Sequence, residues 1–99
     1  IIPVAAPAPD APLKVADVVG PVCETGDFLA LDRPLPQLKA GDLLAVMTAG
    51  AYGAVQSGTY NTRPLIPEVL VRGETAAVVR PRLEAEAIIA LDRMAPWLD

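Results

Sequence analysis

The chain has 99 residues, more than half of them apolar but only four aromatic, and it carries 11 prolines. That length suits one domain with a modest core and is too short for a full barrel enzyme. A formal net charge of −4 with eight scattered basic residues argues against a nucleic-acid partner, because phosphate binding needs Lys and Arg clustered on one face. Charges or prolines interrupt every apolar run before the roughly 18 residues that a membrane span needs. With a single cysteine and no histidine, an internal disulfide and the Cys/His zinc arrangements are excluded. A reducing, cytoplasmic setting fits best. The chain begins without methionine and its first dozen residues lack the basic start and apolar centre of a secretory signal, so Ile1 reads as a point inside a longer polypeptide.

Residues 1–12, IIPVAAPAPDAP, hold four prolines among alanines and predict an extended connector or an edge segment, since proline removes ladder donors and breaks helices. Residues 14–22 alternate loosely around Val15, Val18 and Val19 and predict a strand that ends at Gly20-Pro21. Residues 28–31 form a short apolar stretch. Residues 32–41, with Pro34, Pro36 and Gly41, read as a connection. Residues 42–48 contain Leu43, Leu44, Val46 and Met47 and predict a strand buried on both faces. Residues 51–59 are rich in small side chains and predict a helical turn or tight loop that a ligand can approach closely.

Two β-branched runs, 66–72 and 75–79, flank Gly73-Glu74 and predict a hairpin. Pro81 is suited to the first position of a helix. Beyond it Leu83, Ala87, Ile88, Leu91 and Ala95 recur at helical spacing, predicting about three turns stopped by Pro96. The domain organisation expected is a single domain over 1–99: a connector at 1–12, a β-core at 13–80 and a C-terminal helix at 82–95. The fold class is mainly β, a small β-barrel or sandwich with a short central helix or turn and one C-terminal helix.

Cys23 supports two readings. A lone cysteine in a soluble domain is ordinarily a small buried apolar side chain; here Gly20-Pro21 forces a turn before it and Glu24 and Asp27 follow it, which suits a proton donor or a nucleophile. Glu24 and Asp27 read as solvated loop carboxylates by default, and three apart in a loop they suit a turn cap, part of a metal site, or a grip on an ammonium group. Tyr52, between glycine and alanine, is ordinarily a half-buried aromatic and alternatively offers its hydroxyl to a phosphate.

The run Gly20-Pro21-Val22-Cys23-Glu24-Thr25-Gly26-Asp27 resembles the G-P-x-C-E-x-x-D signature of diaminopimelate decarboxylases, within the barrel-type pyridoxal-phosphate family that also handles ornithine and arginine. Gly50-Ala51-Tyr52, with Ser57, Tyr60-Asn61, Arg63-Pro64 and Glu68-Val69, resembles that family's G-A-Y…S-x-Y-N-x-R-P…E-V signature, and Ile2-Pro3-Val4 is similar to the stretch that follows the barrel. Residues 73–99 are the least diagnostic. The resemblance implies the Greek-key-like C-terminal β-domain of an enzyme that converts meso-2,6-diaminopimelate to L-lysine and carbon dioxide with pyridoxal 5'-phosphate, acting as a head-to-tail homodimer. It implies Cys23 as the acid that returns a proton to the substrate after carbon dioxide leaves, in the partner subunit's site. It further implies Glu24 as the carboxylate that grips the distal end of the substrate, and Tyr52 as a contact to cofactor phosphate and substrate.

Relatives acting on ornithine usually carry Asp at the position of Glu24, so Glu favours diaminopimelate. The Schiff-base lysine and the phosphate loop belong to the absent N-terminal barrel, and neither Lys14 nor Lys39 sits in a comparable context. The chain alone is therefore expected to be inactive. The alternatives are a domain of an ornithine, arginine or carboxynorspermidine-type decarboxylase, or a non-catalytic β-barrel interaction domain. The resemblance also implies that the β-domain draws a strand or two from the enzyme's N-terminus, which leaves the isolated chain an unpaired sheet edge and predicts self-association.

Overall fold

The computed structural model describes residues 1–98. Its contacts separate into two units, Ile1–Ala49 and Gly50–Asp99. Strand pairing among the described residues is confined to three two-stranded antiparallel sheets. The fold is thus mainly β with small helices. The pairings that would close a barrel are not formed among the described residues.

In the first unit, β1 (Ile2–Pro3) pairs with β4 (Leu44–Ala45), and β2 (Leu13–Val19) pairs with β3 (Phe28–Pro36). The proline-rich start therefore contributes an edge strand, extended by a bond from the Val4 N–H to the Leu43 carbonyl of 2.9 Å. β2 ends where Gly20-Pro21 predicts.

β3 corrects the expected connection at 32–41, because the strand runs on through Pro34 and Pro36, which pair with Val15 and Leu13. The two prolines are two residues apart and so turn the same edge outward. Their missing N–H groups fall on the side away from β2, where a proline blunts an edge without breaking the ladder. Between them Leu35, 4% exposed, is the one buried hydrophobic side chain among the described residues.

The β2–β3 register shifts between Ala16 and Val18 and again between Val18 and Val19, each time with the extra residue on β3. At the first shift Asp32 takes φ 50°, and its N–H donates to Asp17 Oδ1 at 2.9 Å. A short polar residue tolerates this left-handed backbone, and the bulge bends the ribbon. The bent ribbon carries the loop 20–27 at one end.

β4 also departs from expectation. The strand predicted over 42–48 contracts to two half-buried residues, while Leu43 and Met47 are exposed. An apolar run buries only where a second layer covers it, and among the described residues no such layer lies over both faces here.

The second unit begins with α1 (Gly50–Val55), followed by a 3₁₀ turn at Tyr60–Thr62, β5 (Glu68–Arg72), β6 (Thr75–Arg80) and α2 (Ala85–Ile89). The β5–β6 hairpin forms as its sequence predicts. Arg72 pairs with Thr75, and Gly73 holds φ 58° while Glu74 keeps negative φ, the geometry of a type II′ turn with glycine first. Apolar residues line both faces of the hairpin, and Val69, Leu70, Val71, Val78 and Val79 are all exposed.

The C-terminal helix is one short segment rather than the three turns expected at 82–95. Leu65 and Leu83 exchange backbone bonds of 2.9 and 3.2 Å, so Leu83 is extended and the helix cannot start at Pro81. At the other end Arg93 Nη1 donates to the carbonyls of Ala90 and Asp92 and the chain tightens into three-residue turns at Leu91 and Asp92, a common termination. A helix this short relies on packing, not on propensity; of the predicted apolar face Ile88 and Ala95 are half-buried, while Leu91 is exposed. Among the described residues no helix is long and apolar enough to cross a membrane.

Candidate functional site

The loop between β2 and β3 holds its shape almost entirely through its own backbone and two carboxylates. The Gly20 N–H donates to the Asp27 carbonyl at 2.8 Å, which extends the β ladder into the loop, and the Asp27 N–H donates to the Glu24 carbonyl at 3.1 Å. Asp27 Oδ2 accepts the Val22 N–H at 2.6 Å, and Glu24 Oε2 accepts the Gly26 N–H at 2.6 Å. Short bonds from N–H to carboxylate are the stronger, charge-assisted kind. Of the roles open to the two carboxylates, the turn cap is the one seen within this chain. Glu24 Oε1 meets only the Thr25 hydroxyl, at 3.5 Å, which leaves that oxygen able to accept from a ligand.

Cys23 sits on this frame between the two capped amides, and its thiol is free and exposed. The reading of Cys23 as a buried apolar side chain does not hold. Its neighbour Glu24 is exposed as well, whereas Asp27 is half-buried. The loop thus turns one side chain inward and presents two outward. Among the described residues no group of three or more acidic or thiol side chains is placed to hold a metal ion.

Tyr52 lies in the second unit, on α1, and is 72% exposed, so it is not the half-buried aromatic of the ordinary reading. α1 is held by backbone bonds at its end, from Gln56 N–H to Tyr52 carbonyl and from Ser57 N–H to Ala54 carbonyl. The Ser57 hydroxyl adds a bond to the same Ala54 carbonyl at 2.5 Å, which gives Ser57 a capping role. Tyr60 and Asn61 occupy the 3₁₀ turn, where Asn61 and Thr62 both have φ 57°. Asn accepts that conformation readily; a β-branched Thr does so only under strain. Glu68 pairs across the hairpin with Arg80, carboxylate to guanidinium at 2.9 Å. At roughly two-fifths exposure this pair contributes no more than about 1 kcal/mol.

The residues of the two sequence signatures therefore fall into two groups. Cys23, Glu24 and Asp27 share one loop in the first unit; Tyr52, Ser57, Tyr60, Asn61, Arg63, Pro64 and Glu68 belong to the second. The sequence offers Gly20 only as a turn former and Asp27 as a solvated carboxylate, a turn cap, part of a metal site or a grip on an ammonium group; that the two meet comes from the structure. Gly20 has an ordinary negative φ, yet a Cβ built on it would overlap the Asp27 carboxylate. The signal was the pairing of Gly-Pro with an aspartate seven positions after the glycine.

The family described as "Pyridoxal-dependent decarboxylase, C-terminal sheet domain" matches residues 1–50. The chain belongs to that family. Relatives that carry the name diaminopimelate decarboxylase include one from Zymomonas mobilis, 47% identical over 91% of this chain, and one from Pseudomonas aeruginosa, 53% identical over 88%. The chain spans 21% of the length of each. Among solved structures, diaminopimelate decarboxylase from M. jannaschi superposes with a TM-score of 0.81 at 32% identity, over 89% of this chain and 20% of that one. The Helicobacter pylori enzyme, solved in complex with L-lysine, gives 0.78 at 34% identity over 91% and 22%.

Proposed function

We propose that this chain is the C-terminal β-domain of a diaminopimelate decarboxylase, which converts meso-2,6-diaminopimelate to L-lysine and carbon dioxide. The observation that carries the reading is the presentation of Cys23 and Glu24: exposed, adjacent, and held by a loop whose own bonds leave the thiol free and Glu24 Oε1 with only a long bond from the Thr25 hydroxyl. A domain that served only as a scaffold has no physical need for such an arrangement.

Pyridoxal phosphate, when bound, supplies an electron sink at the carbon that loses its carboxylate. Its lysine and phosphate cradle would come from an N-terminal barrel. In this chain Lys14 lies on a strand exposed to solvent, and the Lys39 N–H is tied to Asp42 Oδ2 in a turn at 2.7 Å. The residues present fit a contributory role. Tyr52 is open to a ligand, and its hydroxyl suits a phosphate oxygen and the substrate. Cys23 holds the proton that the decarboxylated carbon takes up, and its position decides which face receives it. Glu24 accepts from the distal ammonium of the substrate through a charge-assisted bond.

The same reading makes the enzyme a homodimer in which Cys23 serves the partner's site, and it places the enzyme in the cytoplasm. It also accounts for the open sheets. The apolar faces of the β5–β6 hairpin and the exposed Leu43 and Met47 are surfaces that the rest of the enzyme would cover.

The test is the full-length enzyme, assayed for carbon dioxide and lysine release from diaminopimelate and compared with ornithine, arginine and carboxynorspermidine. Diaminopimelate is expected to be the preferred substrate, and Cys23→Ala to lower kcat by about 10²–10⁴-fold. Preference for another substrate would move the assignment within the family; full activity after Cys23→Ala would remove the acid role.

A further inference from the structure

Gly20 and Asp27 stand at the two ends of the loop that carries Cys23. Two bonds run between those ends: the Gly20 N–H to the Asp27 carbonyl at 2.8 Å, and the Val22 N–H to Asp27 Oδ2 at 2.6 Å. The second fixes the Pro21–Val22 peptide, and the Glu24 N–H donates to the Val22 carbonyl at 2.8 Å, closing a turn about Cys23; held from Asp27 at one side and by that turn at the other, the backbone sets the direction in which the Cys23 side chain leaves it. The carboxylate making that bond lies where the Cβ of any larger residue at position 20 would go. Because Gly20 does not need positive φ, its lack of a side chain serves space and not conformation.

From this arrangement we infer that Asp27 is a positioning residue for Cys23, acting through the Val22 amide, and that Gly20 exists to leave room for the Asp27 carboxylate. Asp27 is then not a ligand of substrate or metal. Its carboxylate is half-buried and directed at the loop backbone, whereas the neighbouring Glu24 keeps an oxygen for the outside. The inference rests on the proposed acid role of Cys23 for its catalytic consequence, and on the hydrogen bond alone for its structural one.

Two readouts on the full-length enzyme separate these. Amide hydrogen exchange at Val22, resolved by fragmentation mass spectrometry, reports the bond directly. Asp27→Ala should speed it by about tenfold, Asp27→Asn, which retains an acceptor oxygen, should largely restore protection, and Gly20→Ala should speed it by displacing the carboxylate. Since Gly20→Ala and Asp27→Ala remove one and the same bond, the double variant should exchange no faster than the worse single variant. Unchanged exchange in Asp27→Ala would overturn the clamp.

The second readout is kcat. Asp27→Ala should lower it by about 10- to 100-fold, the scale of a misplaced reacting group, and should lower it no further when Cys23 is already Ala. A loss of equal size in the Cys23→Ala background would show a general structural role and overturn the positioning one. Unchanged kcat in Asp27→Ala, with exchange accelerated, would do the same. If Cys23→Ala by itself keeps full activity, the acid reading fails, and with it the catalytic part of this inference. The exchange data would still decide the clamp.

Discussion

The loop 20–27 and the segment 50–69 carry the two family signatures, yet they are held in different ways. The loop is closed by carboxylate–amide bonds formed among its own residues, on ends that the β2–β3 ladder brings together. The segment around Tyr52 has a six-residue helix and a 3₁₀ turn with two left-handed residues, and the tyrosine ring projects into solvent. A side chain placed by bonds within its own loop can be held accurately in an otherwise open domain, whereas a side chain such as Tyr52 is oriented only by what packs around it.

The isolated chain is the severest test of this contrast. With one hydrophobic side chain buried among the described residues and only two-stranded sheets, it lacks the layers that make small sheets stable. It should release no carbon dioxide, unfold without a sharp calorimetric transition, and associate at high concentration in sedimentation velocity. A sharp transition in a strict monomer would show that the second unit is self-sufficient, and would remove the contrast.

Within the full-length enzyme, Glu24→Ala should raise KM for diaminopimelate by about tenfold or more, the loss of a charge-assisted bond. Glu24→Asp should shift preference toward a substrate of different reach. Tyr52→Phe should weaken pyridoxal phosphate binding by up to about tenfold in a cofactor titration, since one hydroxyl bond is removed. If Glu24→Ala left KM unaltered while Tyr52→Phe raised it, the substrate contact would lie with the second unit and not with the loop.

The smallest effect concerns the hairpin. Gly73→Ala would force a Cβ into the left-handed turn position at φ 58°, costing about 1–2 kcal/mol of stability, readable as a lower midpoint in denaturant with kcat intact. An equal loss of activity would tie the hairpin to the catalytic function and weaken the division between the two regions.

Much of this organisation was legible in the residues themselves. Gly73-Glu74 between β-branched runs specified a two-residue hairpin, and Gly20-Pro21 specified where β2 ends, because both depend on backbone preferences that act over a few residues. The placement of Cys23 beside Glu24 and Asp27 was equally plain. The continuation of β3 through Pro34 and Pro36 was not, since a proline's effect depends on which edge of the ribbon it faces, and only the register with Leu13 and Val15 decides that. The periodicity of residues 82–95 suggested a longer helix, yet the bridge from Leu65 to Leu83 claimed its first turn.

By itself the sequence determined the family, the hairpin turn, and the chemical groups that the loop offers, because these follow from motif identity and local backbone preference. The tertiary structure alone decided that Cys23 is exposed and that the Asp27 carboxylate occupies the space above Gly20. Exposure and close approach are relations between atoms brought together by folding: the two ends of the loop meet only once β2 and β3 have paired.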